Sequence, residues 1–215
     1  MKSLWIIPFI YFFSCGDIPR QTLPILGRKL VKETIVDGQK VIDSVYPTIQ
    51  DFRFMDQDSN WITRELMEGK IYIADFFFTT CPTICPVMKR NMKKVYEKYK
   101  NDDEIWILSH TIDPKHDTIP VLKKYADAIN VDAEHHWHFL TGNRDSIFDL
   151  AERSYMVSAE EDPNAPGGAV HSGAFILIDK KGRIRGYYDG TDEQDVLRLI
   201  RDIKLLNPKR NNLRK

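Results

Sequence analysis

Hydrophobic and polar positions along this chain follow two periods, and each change of period marks an element boundary. Residues 49–55 alternate apolar with polar, which predicts a strand with one buried face. Asp56-Gln57-Asp58-Ser59-Asn60 then reads as a turn. Thr63 is placed to cap a short helix over 64–68, which Gly69 ends. Residues 71–78 are almost continuously apolar, the pattern of a central strand buried on both faces. A helical period takes over across 87–100. Its polar side carries Lys89, Arg90, Lys93, Lys94, Lys98 and Lys100, a solvated face. Residues 105–109 predict a strand. A helix capped at Asp117-Thr118, with Pro120 in its first turn, runs to about Asn130. Residues 137–140 predict a third strand of this kind, and 144–155 a helix. Residues 158–170 form a polar loop with Pro163, Pro166, Gly167 and Gly168. Strands over 172–178 and 184–188 flank the turn at 179–183, and 192–206 close with a helix.

Strands alternating with helices, then a terminal hairpin and helix, predict an α/β fold with a central mixed sheet flanked by helices. A strand, a cysteine-bearing turn, a helix and a later hairpin plus helix follow the thioredoxin-like plan. The expected organisation is an export segment over 1–15, a tether and lead-in over 16–45, one domain over 46–207, and a basic tail over 208–215.

The 215 residues suffice for one ordinary domain with a full core, and 42% hydrophobic content suits a globular protein. A formal net charge of +0 gives no global attraction to nucleic acid, so no nucleic-acid partner is expected. The first residues read differently. Lys2, an apolar run and a small residue before Cys15 have the layout of a secretory signal. The run is about half of the ~20 residues that span a bilayer. Phe12-Phe13-Ser14-Cys15 resembles a bacterial lipobox, in which cleavage before the cysteine leaves a lipid-bearing thiol; Phe12 stands where Leu is usual. The expectation is a membrane-anchored lipoprotein facing the periplasm, with a plain signal peptide or a short uncleaved anchor as alternatives. Each of them exports the domain to where a close cysteine pair oxidises unless a metal or a reducing partner holds it.

Of three cysteines, the other two lie in Cys81-Pro82-Thr83-Ile84-Cys85-Pro86, at a strand-to-helix turn. Free backbone N–H groups at a helix start favour thiolate there. Thiolates are soft donors suited to Cu(I), zinc or iron–sulfur. Two are too few for structural zinc or a cluster, whereas two sulfurs plus one imidazole suit both oxidation states of copper. Of the six histidines, His171 is placed best, because the loop entering the strand at 172–178 lies beside the cysteine turn on this plan. In His135-His136-Trp137-His138, His136 and His138 share a strand face, so an accessory metal contact competes with a simple strand entrance where Trp137 and Phe139 pack inward. Asp75 interrupts the buried strand. It is either a proton acceptor near the thiols or a carboxylate satisfied at a strand end.

Phe77-Phe78-Thr79-Thr80-Cys81-Pro82-Thr83-Ile84-Cys85-Pro86 resembles the Sco/SenC copper proteins. So do Asp113-Pro114-Lys115-His116-Asp117-Thr118, Phe139-Leu140-Thr141-Gly142, and Val170-His171 leading into a strand. The resemblance spans about 46–206. It implies copper, as Cu(I), Cu(II) or both, held by Cys81, Cys85 and His171. It implies a role in building the binuclear copper centre of cytochrome c oxidase, as copper chaperone, thiol reductant or both. The partners implied are the copper-site subunit of the oxidase and an upstream copper donor or thiol reductant. Asp113 matches an acidic position near the family's site; its plainer role is to cap the turn before Pro114. The chain departs from members with a transmembrane anchor, because its own anchor reads as lipid on Cys15.

Two functions compete. A copper-binding assembly factor would release copper as an incoming thiolate replaces first His171 and then one cysteine. A thiol–disulfide oxidoreductase would attack with Cys81 and resolve with Cys85. Against the second stand the three-residue spacer and the absence of a proline beside the strand in Gly168-Ala169-Val170-His171-Ser172. A peroxidase fits poorly, since no peroxide-activating Arg and Thr arrangement can be identified.

Overall fold

In the computed structural model, residues 22–36, 39–131, 133–161 and 169–207 are described. The expected export segment with Cys15 and the expected basic tail lie outside them. A five-stranded sheet organises the domain, in the order β11-β10-β5-β6-β7. Strands β5 (Ile71–Phe77), β6 (Ile105–Thr111) and β7 (Trp137–Leu140) are parallel. Strands β10 (Ala174–Ile178) and β11 (Ile184–Asp189) add to the other side of β5 antiparallel. This mixed sheet with its flanking helices is the thioredoxin-like fold.

All seven residues of β5 and all seven of β6 are buried, as continuous apolar runs demand of central strands. Helices α1 (Cys85–Tyr99) and α2 (Ile119–Ala128) connect the parallel strands. Both cover the face that carries Phe77: Tyr125 of α2 packs on Phe77 and Phe139, and Tyr96 of α1 on Trp137. Helix α4 (Glu193–Leu206) is joined to α1 through Tyr99, whose hydroxyl donates to Ile200 O at 2.8 Å. Phe76 points to the opposite face, as alternation requires. There it meets Tyr155, which follows α3 (Arg144–Asp149) and a wider π turn over Leu150–Ser154.

Edge strand β11 is closed to further pairing. Ile184 O accepts from Leu26 N, Tyr187 O from Arg198, and Asp189 N donates to Asp195. Such capping of an edge prevents strand addition. Gly190 is required where β11 ends: its N–H donates to Gly173 O at 2.7 Å, and a Cβ there would lie 2.8 Å from that oxygen.

The strand expected over 49–55 is shorter. It forms β3 (Arg53–Met55), paired with β4 (Trp61–Thr63) around the Asp56 turn. Residues 64–68 hold only a 3-10 turn, Glu65–Met67, with Thr63 Oγ1 accepting from Leu66 N. The lead-in is structured. Leu23 and Leu26 pack on the core, and β1 (Leu30–Val36) pairs with β2 (Gln39–Val45) as an antiparallel ribbon. Short pairs, β8 (Ala159–Glu161) with β9 (Ala169–His171), flank the undescribed part of the polar loop. Among the described residues no helix is long and apolar enough to cross a membrane.

His110 of β6 is fully buried among the rings of Phe52, Phe54, Phe76 and Tyr155, and neither ring nitrogen has a hydrogen-bond partner. Burial alone drives its pKa down to about 3. The unfolded chain therefore takes up a proton near pH 6.5 that the fold refuses. Stability falls as pH drops from about 6.5 towards 3, by on the order of 5 kcal/mol in total. His110→Leu is expected to raise the melting temperature more at pH 5 than at pH 8. Equal shifts at both pH values, in a calorimetric scan of the two proteins, would disprove this.

Candidate metal centre

The two thiols sit where β5 hands over to α1. The last described ladder contact at this end is Ile112 N to Phe77 O, 2.9 Å, and Cys81 N turns back to Phe78 O at 3.2 Å. Helix α1 then begins at Cys85 with Pro86 in its first turn, where a missing N–H costs nothing. Its N-cap residue, Ile84, offers no side-chain cap. The Cys81 sulfur fills that role. It accepts from the N–H groups of Thr83 and Cys85, and lies in contact with the Cys85 thiol and, at 3.6 Å, with Thr83 Oγ1.

Both cysteines are buried thiols, yet their environments push them apart. Burial raises the Cys81 pKa, but the hydrogen bonds from Cys85 and Thr83 outweigh it, and the net shift is downward. Burial also raises Cys85, more than its backbone contact at Phe78 offsets. Cys81 and the charge of Asp75 add to that, leaving Cys85 well above the ordinary thiol range. Cys81 is thus the more acidic of the two sulfurs and Cys85 the less acidic. A soft cation bound to Cys81 would displace the Cys85 proton and gain a second sulfur, so this donor pair fits copper.

Asp75 lies within β5 rather than at its end, and its carboxylate is met by a hydrogen bond. Ser109 Oγ donates to Asp75 Oδ1 at 2.5 Å, and Trp137 Nε1 in turn donates to Ser109 Oγ at 3.0 Å. The carboxyl also lines, together with Cys85, Met88 and Tyr125, a cavity of about 10 Å³ behind the thiols. That is room for about one water. Burial lifts the Asp75 pKa to about 7, against the Ser109 hydrogen bond.

His171 ends β9, paired across from Ala159; its side chain lies outside the described residues. The backbone beyond it runs to the thiol turn: a Cβ on Gly173 would lie 3.8 Å from Ile84 Cδ1 and 3.7 Å from Thr191 Cγ2. A groove of about 460 Å³ opens here, lined by Ser172, Gly173, Tyr187, Asp189 and Thr191 among others. Asp113 is engaged in its own turn, accepting from His116 N at 3.3 Å. Asp117, read as a helix cap, is instead fully buried and accepts from Thr79 and Thr111, while Thr118 takes the N-cap position.

The histidine cluster is structural. His138 Nδ1 meets buried Asp56 at 3.0 Å, and His136 and His138 both stack on Trp106. Among the described residues no group of three or more His, Cys, Asp or Glu side chains is set to hold a metal.

Two outcomes follow from these environments. With limiting iodoacetamide near neutral pH, Cys81 should be alkylated first. Cys81→Ser should abolish the fast phase while Cys85→Ser preserves it; the reverse order by peptide mapping would refute the assignment. For Asp75, the fold holds a proton between about pH 4 and 7 that the unfolded chain releases, so stability declines as pH rises through that window. Asp75→Asn keeps the Ser109 hydrogen bond and removes the burden. It should stabilise the protein by up to roughly 4 kcal/mol at pH 8 and by little at pH 4. A gain that does not depend on pH in denaturant titrations would contradict this.

With this geometry in hand, the chain can be set beside known proteins. It matches the SCO1/SenC family over residues 42–206. It is 30% identical over 169 residues to the SCO1 protein homolog of Bacillus subtilis, covering 78% of this chain and 86% of that protein. The crystal structure of a SCO1/SenC family lipoprotein from Bacillus anthracis superposes with a TM-score of 0.68 at 29% identity, covering 74% of this chain and 95% of that one. BsSco, a member of the Sco family of cytochrome c oxidase assembly proteins in which a disulfide switch was identified, gives 0.61 at 28%, covering 72% and 92%. Yeast Sco1, solved with copper bound, gives 0.59 at 25%, covering 79% and 96%. A family match over residues 42–206, together with 30% identity to a relative covered over 86% of its length, makes this protein a member of the SCO1/SenC family.

Proposed function

We propose that this protein is a copper-binding factor for the assembly of cytochrome c oxidase, taking copper on Cys81, Cys85 and His171 and passing it to the copper-site subunit. The observation that carries this reading is the pair of adjoining buried sulfurs at the start of α1, one biased to thiolate and one to thiol. Two thiolates and an imidazole supply a soft, incomplete donor set that holds Cu(I) and still accepts a competitor. Cys81 binds first, because it loses its proton most readily. Cys85 follows as its proton leaves through the cavity it shares with Asp75. The groove beside Gly173 gives an approaching chain access to this side of the site. An incoming thiolate displaces His171 and then one cysteine, and each departing sulfur regains its proton. A lipid on Cys15 would hold the domain at the periplasmic membrane face, near a membrane-embedded acceptor.

A second reading draws on the same asymmetry. As a thiol–disulfide reductant, the Cys81 thiolate attacks a disulfide of the acceptor, forming a mixed disulfide and expelling one thiolate. Cys85 then gives up its proton and attacks the Cys81 sulfur, closing Cys81–Cys85 and releasing the second thiol. Two electrons pass to the acceptor.

Copper stoichiometry decides between them. The reduced protein, loaded anaerobically, should bind about one Cu(I) per chain, and His171→Ala should weaken that binding strongly. No stable copper, or binding indifferent to His171, would leave the reductant reading standing.

A further inference from the structure

We infer that Asp117 is a positioning residue for the thiol turn, holding Cys81 and Cys85 at the spacing that copper or a disulfide requires. Its carboxylate is wholly buried and accepts three hydrogen bonds. Thr79 N donates to Oδ2 at 3.0 Å, the Thr79 hydroxyl donates to Oδ1, and the Thr111 hydroxyl donates to Oδ2 at 2.5 Å. Both donors of Thr79 therefore go to one carboxylate. Thr79 lies two residues beyond the end of β5 and two before Cys81.

The location makes this more than a satisfied polar group. Pairing of β5 with β6 ends at Phe77 and Thr111. Past that point the sheet ladder no longer fixes the chain, and the N–H of Thr79 would be left without a strand partner. Asp117 supplies the missing acceptor and ties Thr79 to the last residue of β6. The carboxylate is itself fixed, since Asp117 N donates to Asp113 O at 2.8 Å in the turn before α2. The ordered frame of the sheet is thereby carried two residues closer to Cys81. A site whose support is left loose by about 1 Å loses much of its binding strength. Neighbours that orient metal ligands typically contribute 10- to 100-fold in affinity. Asp113, by contrast, spends its carboxylate on its own turn.

This inference rests on the proposed copper site, so its test uses a second readout that does not need copper. The full-length protein in detergent is compared with Asp117→Asn, Thr79→Val and Thr79→Ser. Cu(I) affinity is measured against a chromophoric chelator, the Cys81–Cys85 dithiol–disulfide equilibrium against glutathione, and melting by circular dichroism. Asp117→Asn turns one acceptor into a donor facing donors, and Thr79→Val removes the hydroxyl; both should weaken Cu(I) binding by about 10-fold or more and shift the glutathione equilibrium while the protein remains folded. Thr79→Ser keeps both donors and should restore wild-type values. If Asp117→Asn fails to fold, the Val and Ser pair at Thr79 carries the comparison. Lower melting temperatures with unchanged affinity and unchanged thiol equilibrium would overturn the inference and leave Asp117 a purely structural brace. Absence of copper binding in the wild type would count against the metal site alone, and the glutathione equilibrium would still judge Asp117.

Discussion

Parallel pairing of β5 with β6, from Ile71 opposite Ile105 to Phe77 opposite Thr111, is the constraint on which the remainder of this structure depends. Both strands end at the same level, so the two loops that follow leave the sheet side by side. One carries Cys81 and Cys85 and the other carries Asp113 and Asp117. β5 is also where the sheet changes character, with a parallel neighbour on one side and antiparallel β10 on the other. The thiol turn thus lies beyond the carboxyl end of β5, the side on which open α/β sheets commonly bind ligands. A slip of one residue would turn Asp75 away from Ser109 and Trp137 and bury the wrong side of each strand.

The polar groups held by these two strands divide between the faces. Asp75, Ser109 and Trp137 form a hydrogen-bonded chain on the thiol side. His110 sits between aromatic rings on the other, with no hydrogen-bond partner. His110 breaks the rule that a buried polar group should be satisfied, whereas Asp75 keeps a partner; both make stability respond to pH, in opposite directions. Asp75 also lines the cavity behind Cys85. The thiols show the same economy: Cys81 accepts the N–H groups that an ordinary capping side chain would take, so the start of α1 and the lowered thiol pKa have one cause.

Patterning read the elements that bury surface and missed those that do not. The runs that became β5, β6 and β7 stood out because burial on both faces leaves room for little but apolar residues. The β1–β2 ribbon did not, and its exposure explains why: Leu30, Val31 and Ile35 are 60%, 67% and 78% exposed. Backbone pairing without a buried face imposes no period on side chains. β4 was hidden for a related reason, since a three-residue strand offers too few positions to show alternation, whereas β3 lay within the alternation over 49–55.

Local chemistry by itself determined the central strands, the cysteine-bearing turn at a helix start and the oddity of a carboxylate at Asp75. Each follows from which residues a strand interior or a helix terminus tolerates. Tertiary structure decided what those residues meet. The register of β5 on β6 put Ser109 against Asp75, and the folding back of the Asp113–Thr118 turn put Asp117 beneath Thr79. Burial of Cys85 and the hydrogen bonds that Cys81 accepts set the two thiols apart in acidity. These outcomes depend on distances between segments far apart in the chain, which sequence spacing does not encode until the sheet brings them together.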